Sequence, residues 1–147
     1  MEFNELIADF AARHNVADLT AADNAAALDI DGIIVLLVCK GDELTLSAEI
    51  GEPPAEGAAT FANLLLEASL QSEAFFAKIG GADQYIAVRR LSLPSLDPAA
   101  FDRALESLVN LAETWHRFLE DFRPAAKAAE KAKSDIPAFG TGDFLPV

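Results

Sequence analysis

Apolar residues recur along this chain with two different periods. Over residues 2–13, Phe3, Leu6, Ile7, Phe10 and Ala11 fall at i, i+3, i+4, i+7 and i+8, the spacing of one helix face. A polar stretch, 15–24, follows. A period of two then takes over. Residues 25–30 and 33–39 form short apolar runs parted by Asp31-Gly32. Residues 43–50 alternate strictly, with Leu44, Leu46, Ala48 and Ile50 against Thr45, Ser47 and Glu49. Residues 51–54 (GEPP) break the chain, and 58–70 return to a helical pattern. Two further strands, 74–79 and 84–93, are joined through Gly80-Gly81. Asp97 is a natural N-cap and Pro98 suits the first helical position, so a third helix starts there. It is expected to stop near Phe122, where Arg123-Pro124 disfavours helix. The order α-β-β-β-α-β-β-α groups its strands instead of alternating βαβ units. It predicts an α+β fold with an antiparallel five-stranded sheet in one domain, 1–122. Residues 123–147 form a tail, partly helical over 127–133 and then extended or disordered.

The first three strands carry their own register test. A two-residue turn at Asp31-Gly32 sets Ile30 opposite Ile33, Asp29 opposite Ile34 and Leu28 opposite Val35. A second at Gly41-Asp42 sets Cys39 opposite Leu44, Leu37 opposite Leu46, Val35 opposite Ala48 and Ile33 opposite Ile50. Both hairpins send the same set to one face, and every member is apolar. A slip by one residue would invert that set, so the agreement of two independent turns specifies the pairing.

Two features are left over. The second face of these strands holds Ala27, Asp29, Ile34, Leu36, Val38, Thr45, Ser47 and Glu49. Its centre, Ile34, Leu36 and Val38, is apolar and needs a cover: a helix of the same chain, or an apolar segment of another protein. The second helix is apolar on two sides. Phe61, Leu64, Leu65 and Ala68 form one face, and Leu66 and Leu70 point nearly opposite. Its second neighbour is either another subunit, which predicts a symmetric dimer, or the 51–54 loop. The third helix is apolar over about half its circumference, from Phe101 to Phe122, as suits a helix lying on a sheet, with Trp115 in the core.

Composition and charge narrow the function. Apolar residues make up 52% of the chain, enough for a core, so the composition is not that of a disordered protein. The longest apolar run, 33–39, is too short to span a bilayer. The opening MEFNELIADF is acidic and amphipathic, so no secretory leader is expected. The single Cys39 allows no internal disulfide, and with no leader it predicts a cytoplasmic protein. Residues 1–122 hold 7 basic against 21 acidic side chains, a net charge of −14, while the remainder is +1. Such a body repels nucleic acid and anionic membrane and suits a partner with a basic or neutral segment.

Reactive chemistry is sparse. Asp29-Ile30-Asp31-Gly32 matches the DxDG of phosphatases whose first Asp is the nucleophile. There the Asp ends a buried strand and opens an active-site loop; here an apolar strand follows at once, and the partner motifs do not assemble. The motif therefore reads as a hairpin, and no catalytic residue is expected. His14 and His116 stand on different helices, and no Cys/His spacing fits zinc. Cys39 falls on the core face, where a thiol is inert. Gly80-Gly81 lacks the context of a phosphate loop. Arg89-Arg90 suits surface ion pairs or the carboxylate of a partner. No cofactor is implied. The tail after residue 134 carries Ile136, Phe139, Phe144 and Leu145, which either hang free or occupy the protein's own binding groove until a client displaces them.

The element order, the LDIDGIIVLLV hairpin, the ELTLSAEIGEPP strand with its exit, and the helix LPSLDPAAFDRALESLVNLAETWHRFLE resemble the class I chaperones of type III secretion, the CesT or Tir-chaperone family. The resemblance spans about residues 2–122, and the tail is longer than the family's pattern. It implies a non-catalytic homodimer that uses no ATP. Such a dimer binds the N-terminal region of a secreted effector in extended form and keeps it export-competent. It implies dimer contacts on the second helix, at Phe61, Leu64, Leu65, Leu66, Ala68 and Leu70, and client binding at apolar surfaces around the sheet and first helix, here Ile34, Leu36 and Val38. The alternative is a domain of the YbjN type, a regulatory or adaptor module outside secretion.

Overall fold

A computed structural model describes residues 1–16, 19, 21–79 and 83–135, with side chains through Phe122. It contains α1 (Phe3–Arg13), β1 (Ala25–Ile30), β2 (Ile33–Lys40), β3 (Glu43–Gly51), α2 (Ala58–Ser69), β4 (Phe75–Ile79), β5 (Gln84–Ser92) and α3 (Pro98–Asp135). This is the expected order. The Gly80-Gly81 link and residues 136–147, with Ile136, Phe139, Phe144 and Leu145, lie outside the described residues.

The strands form one antiparallel sheet in the order β1-β2-β3-β5-β4. Both hairpins hold the expected register. Ile30 pairs with Ile33, Asp29 with Ile34 and Leu28 with Val35. Val35 pairs with Ala48, Leu37 with Leu46 and Cys39 with Leu44. At the first turn Asp31 and Gly32 both have positive φ, the type I′ requirement, while at the second only Gly41 does, the pattern of type II′. Both are two-residue loops, so the register is the same. The crossover after β3 carries α2, and β5 returns beside β3 with Leu46 opposite Arg89 and Ser47 opposite Val88.

All three helices bury their apolar side chains against the same face of the sheet. Phe3, Leu6, Ile7 and Phe10 of α1, Phe61 and Leu65 of α2, and Phe101, Leu105, Leu108, Ala112, Leu119 and Phe122 of α3 join Leu28, Val35, Leu37, Leu44, Leu46, Ala48 and Ile50 in one core. Phe61 sits at the centre of an aromatic cluster with Tyr85, Trp115, Phe118 and Phe122. Side chain–backbone bonds set the helix starts. In α1, Glu2 and Glu5 form a capping box, and in α3 the Asp97 carboxylate accepts from the Ala100 amide at 2.7 Å. At the end of β3, Gly51 has φ +150°, and a Cβ there would lie 2.8 Å from Leu119 Cδ2, so this position lets α3 press on the strand. Beside it, His116 Nδ1 donates to the Ile50 carbonyl at 2.7 Å.

One expected boundary is corrected. α3 does not stop at Arg123-Pro124; it continues to Asp135. Proline removes a single ladder hydrogen bond, and the alanine- and lysine-rich stretch beyond it consists of strong helix formers that extend the helix past that loss.

Candidate protein-binding site

The outer face of the sheet follows from the same alternation that builds the core. Ala27 lies opposite Leu36, Leu36 opposite Ser47, Ser47 opposite Val88, and Val88 opposite Phe75. One row of small and apolar side chains therefore crosses all five strands. No described helix covers it: Leu36 is 45% and Ile34 40% exposed, and Val38 is half-buried. The described helices bury their apolar side chains on the other face. Phe75 and Ile79 extend the exposed surface at the far edge. Sequence reasoning missed these two, because their place depends on β5 returning to β3, which no local turn announces. The Arg90 guanidinium lies 5.4 Å over the Phe75 ring, and Arg90 also pairs with Glu43. Arg89, on the inner face, pairs with Glu73 at 2.7 Å. Both arginines are thus engaged in ion pairs.

Asp29 has a structural task. Its Oδ1 accepts the Gly32 amide at 2.9 Å and closes the β1–β2 turn, which accounts for the first Asp of the DxDG sequence. Cys39 is buried, and burial pushes its thiol pKa above the ordinary value. Among the described residues, no group of three His, Cys, Asp or Glu side chains is placed to hold a metal ion.

The six α2 positions divide. Phe61 and Leu65 are buried in the chain's own core, so neither has surface left for a partner. Leu64 and Ala68 are half-buried. Leu66 and Leu70 are 64% and 88% exposed. The large apolar side chains on the outward side of this helix and its C-cap are therefore Leu66 and Leu70.

A third surface lies where α1, β1 and the first half of α3 meet. β1 is an edge strand, and among the described residues one isolated bridge, Ala22 with Ala25, lies at its start. Beside it opens a cleft of about 800 Å3, floored by Phe10, Leu28, Leu105 and Val109. α1 is held at its rim by a clamp. Arg13 pairs with Asp9 at 2.6 Å and with both carboxylate oxygens of Asp102, and His14 Nε2 lies 3.2 Å from the same carboxylate. The hydrogen bonds from Arg13 hold the Asp102 carboxyl below the usual carboxylate range. This cleft had no local signal, since its walls come from three segments far apart in the chain.

The sequence profile of the Tir chaperone protein (CesT) family matches residues 5–116. The chain belongs to that family. Among solved structures, this CesT-family chain is similar to a chain of the ExsC–ExsE complex (TM-score 0.70, 21% identity, covering 79% of this chain and 92% of that one). It is also similar to a chain of the HopA1–SchA chaperone–effector complex (TM-score 0.67, 15% identity, 78% and 93% covered). A third is the structure of the Yersinia pestis type III secretion chaperone SycH with a stable fragment of YscM2 (TM-score 0.63, 20% identity, 78% and 99% covered). No curated protein matches the chain in sequence. The α+β fold with its five-stranded antiparallel sheet is thus that of the secretion chaperones, and the function class is that of a chaperone that binds protein. No helix among the described residues is long and apolar enough to cross a membrane.

Proposed function

We propose that this chain is a non-catalytic, homodimeric, cytoplasmic chaperone that binds the N-terminal segment of a secreted effector in extended form and keeps it competent for export. The observation that carries this reading is the uncovered outer row at Ile34 and Leu36, on a sheet whose β1 edge is open, in a member of a chaperone family. Solved relatives in complex with effectors support it. An extended client gains main-chain hydrogen bonds along a strand edge and buries alternate side chains. Ordering the client costs free energy, which keeps affinity per area modest and lets an export machine strip the client away. Leu66 and Leu70, exposed on α2, are the proposed seam between two copies, since two leucines on one helix face suit a self-complementary twofold contact.

Co-purification from the native host followed by mass spectrometry tests this reading. The expected result is the N-terminal part of a secreted protein, lost in Leu36→Asp while the fold persists. Recovery of a cytosolic regulatory enzyme alone would favour the YbjN-type adaptor and overturn the chaperone reading.

A further inference from the structure

We propose that the cleft between α1, β1 and α3 selects clients by charge: it accepts an extended segment in which apolar residues alternate with Lys or Arg. This rests on the chaperone reading above and names the chemistry of the segment bound. The floor, Phe10, Leu28, Leu105 and Val109, is apolar, and the mouth carries Asp29, Asp31 and Glu106. The fourth carboxylate at the mouth, Asp102, is already matched by Arg13 and His14. The other three have no ion-pair partner among the described residues, and Asp29 gives only Oδ1 to the Gly32 amide. Among the described residues no Lys or Arg lines the cleft, and Arg13 at its rim is taken up by Asp9 and Asp102.

Strand geometry sets the spacing. Along β1, Leu28 is buried on the cleft side, while Asp29 lies exposed on the outer face. A client strand added to this edge alternates in the same way, one side chain into the cleft and the next beside Asp29. Apolar residues in the first set and basic residues in the second complement both walls. Residues 136–147 of this chain supply apolar anchors but carry Asp143 and no Lys or Arg, so they lack the basic side chains that would match the mouth. A second copy would bring another net −13 to the same rim.

The test uses three ten-residue synthetic peptides alternating Leu with Lys, Ser or Glu, titrated against the full chain by fluorescence anisotropy. The Lys peptide is expected to bind about tenfold tighter than the Ser peptide, the combined effect of a few exposed ion pairs, and the Glu peptide weakest. The near-isosteric triple variant Asp29→Asn, Asp31→Asn, Glu106→Gln keeps the turn acceptor, and Asn tolerates the positive φ at position 31. It should reduce the Lys preference to about twofold or less and leave Ser-peptide binding unchanged. A control neutralising Asp42, Glu67 and Asp121, all remote from the cleft, should keep the preference. Persistence of the preference in the triple variant, or equal loss in the control, overturns the proposal. If the triple variant also captures the host's secreted protein at full yield, the cleft's selectivity falls while the chaperone reading stands. If the wild-type chain captures none, the chaperone reading itself falls.

Discussion

The two faces of the β1–β2–β3 sheet are built from side chains one residue apart, yet they have opposite fates. On the inner face Val35, Leu37, Leu44, Leu46 and Ala48 are fully buried beneath three helices. On the outer face Ile34 and Leu36 stand open on the same strand as Val35 and Leu37. Along β2 the side chains of the two faces are equally apolar. What differs is that the described helices bury their core side chains on one side only. The outer row, which no described helix covers, is the proposed surface for another polypeptide, and the edge strand β1 is the proposed place to begin pairing.

Substitution separates the two faces, starting with the inner one. Leu46→Ala should destabilise the fold by about 2–5 kcal/mol in chemical unfolding, because the cavity lies at the centre of the core. Gly51→Ala should cost less, about 1–3 kcal/mol by the same measurement, since its Cβ meets the buried Leu119 Cδ2, which must give way, and φ +150° strains an L side chain. Leu36→Ala on the outer face should change stability by no more than about 0.5 kcal/mol while weakening client capture; a core-sized loss of stability there would erase the contrast between the faces. At α2, Leu66→Glu with Leu70→Glu should leave the thermal midpoint of each protomer near that of the parent and yield monomers by light scattering. A dimer that survives both charges would place the seam elsewhere.

The smallest effect concerns pH. The depressed Asp102 pKa means that the clamp between α1 and α3 contributes its stability above the unfolded carboxylate value of about 4. That contribution fades as the pH falls through the lower folded value. Acid unfolding curves of Asp102→Asn should therefore lack one component of slope below pH of about 4 and converge with the parent at the acid end. The exposure of the pair to solvent keeps this modest.

Much of the fold was legible before any coordinate. Asp31-Gly32 and Gly41-Asp42 are two-residue turns, and a two-residue turn dictates which side chains face each other, so the pairing of Leu28 with Val35 and of Leu37 with Leu46 follows from local chemistry. Asp97-Pro98 marked the start of α3 for the same reason. The continuation of α3 past Pro124 is also local in origin: the run of helix formers after the proline outweighs the one breaker. The outer row was half legible. Ile34, Leu36 and Val38 came from the hairpin register, but Phe75 and Ile79 did not, because β4 joins the sheet only through β5.

The sequence by itself determined the element order, the register of three strands and the apolar character of both faces of β2, since periodicity and turn chemistry act over a few residues. Only the tertiary structure decided which apolar face the helices would take, that β5 would return beside β3, and that Phe10, Leu28, Leu105 and Val109 would meet under an acidic rim. Those outcomes depend on contacts between segments tens of residues apart, where the burial of one surface is settled by competition with every other.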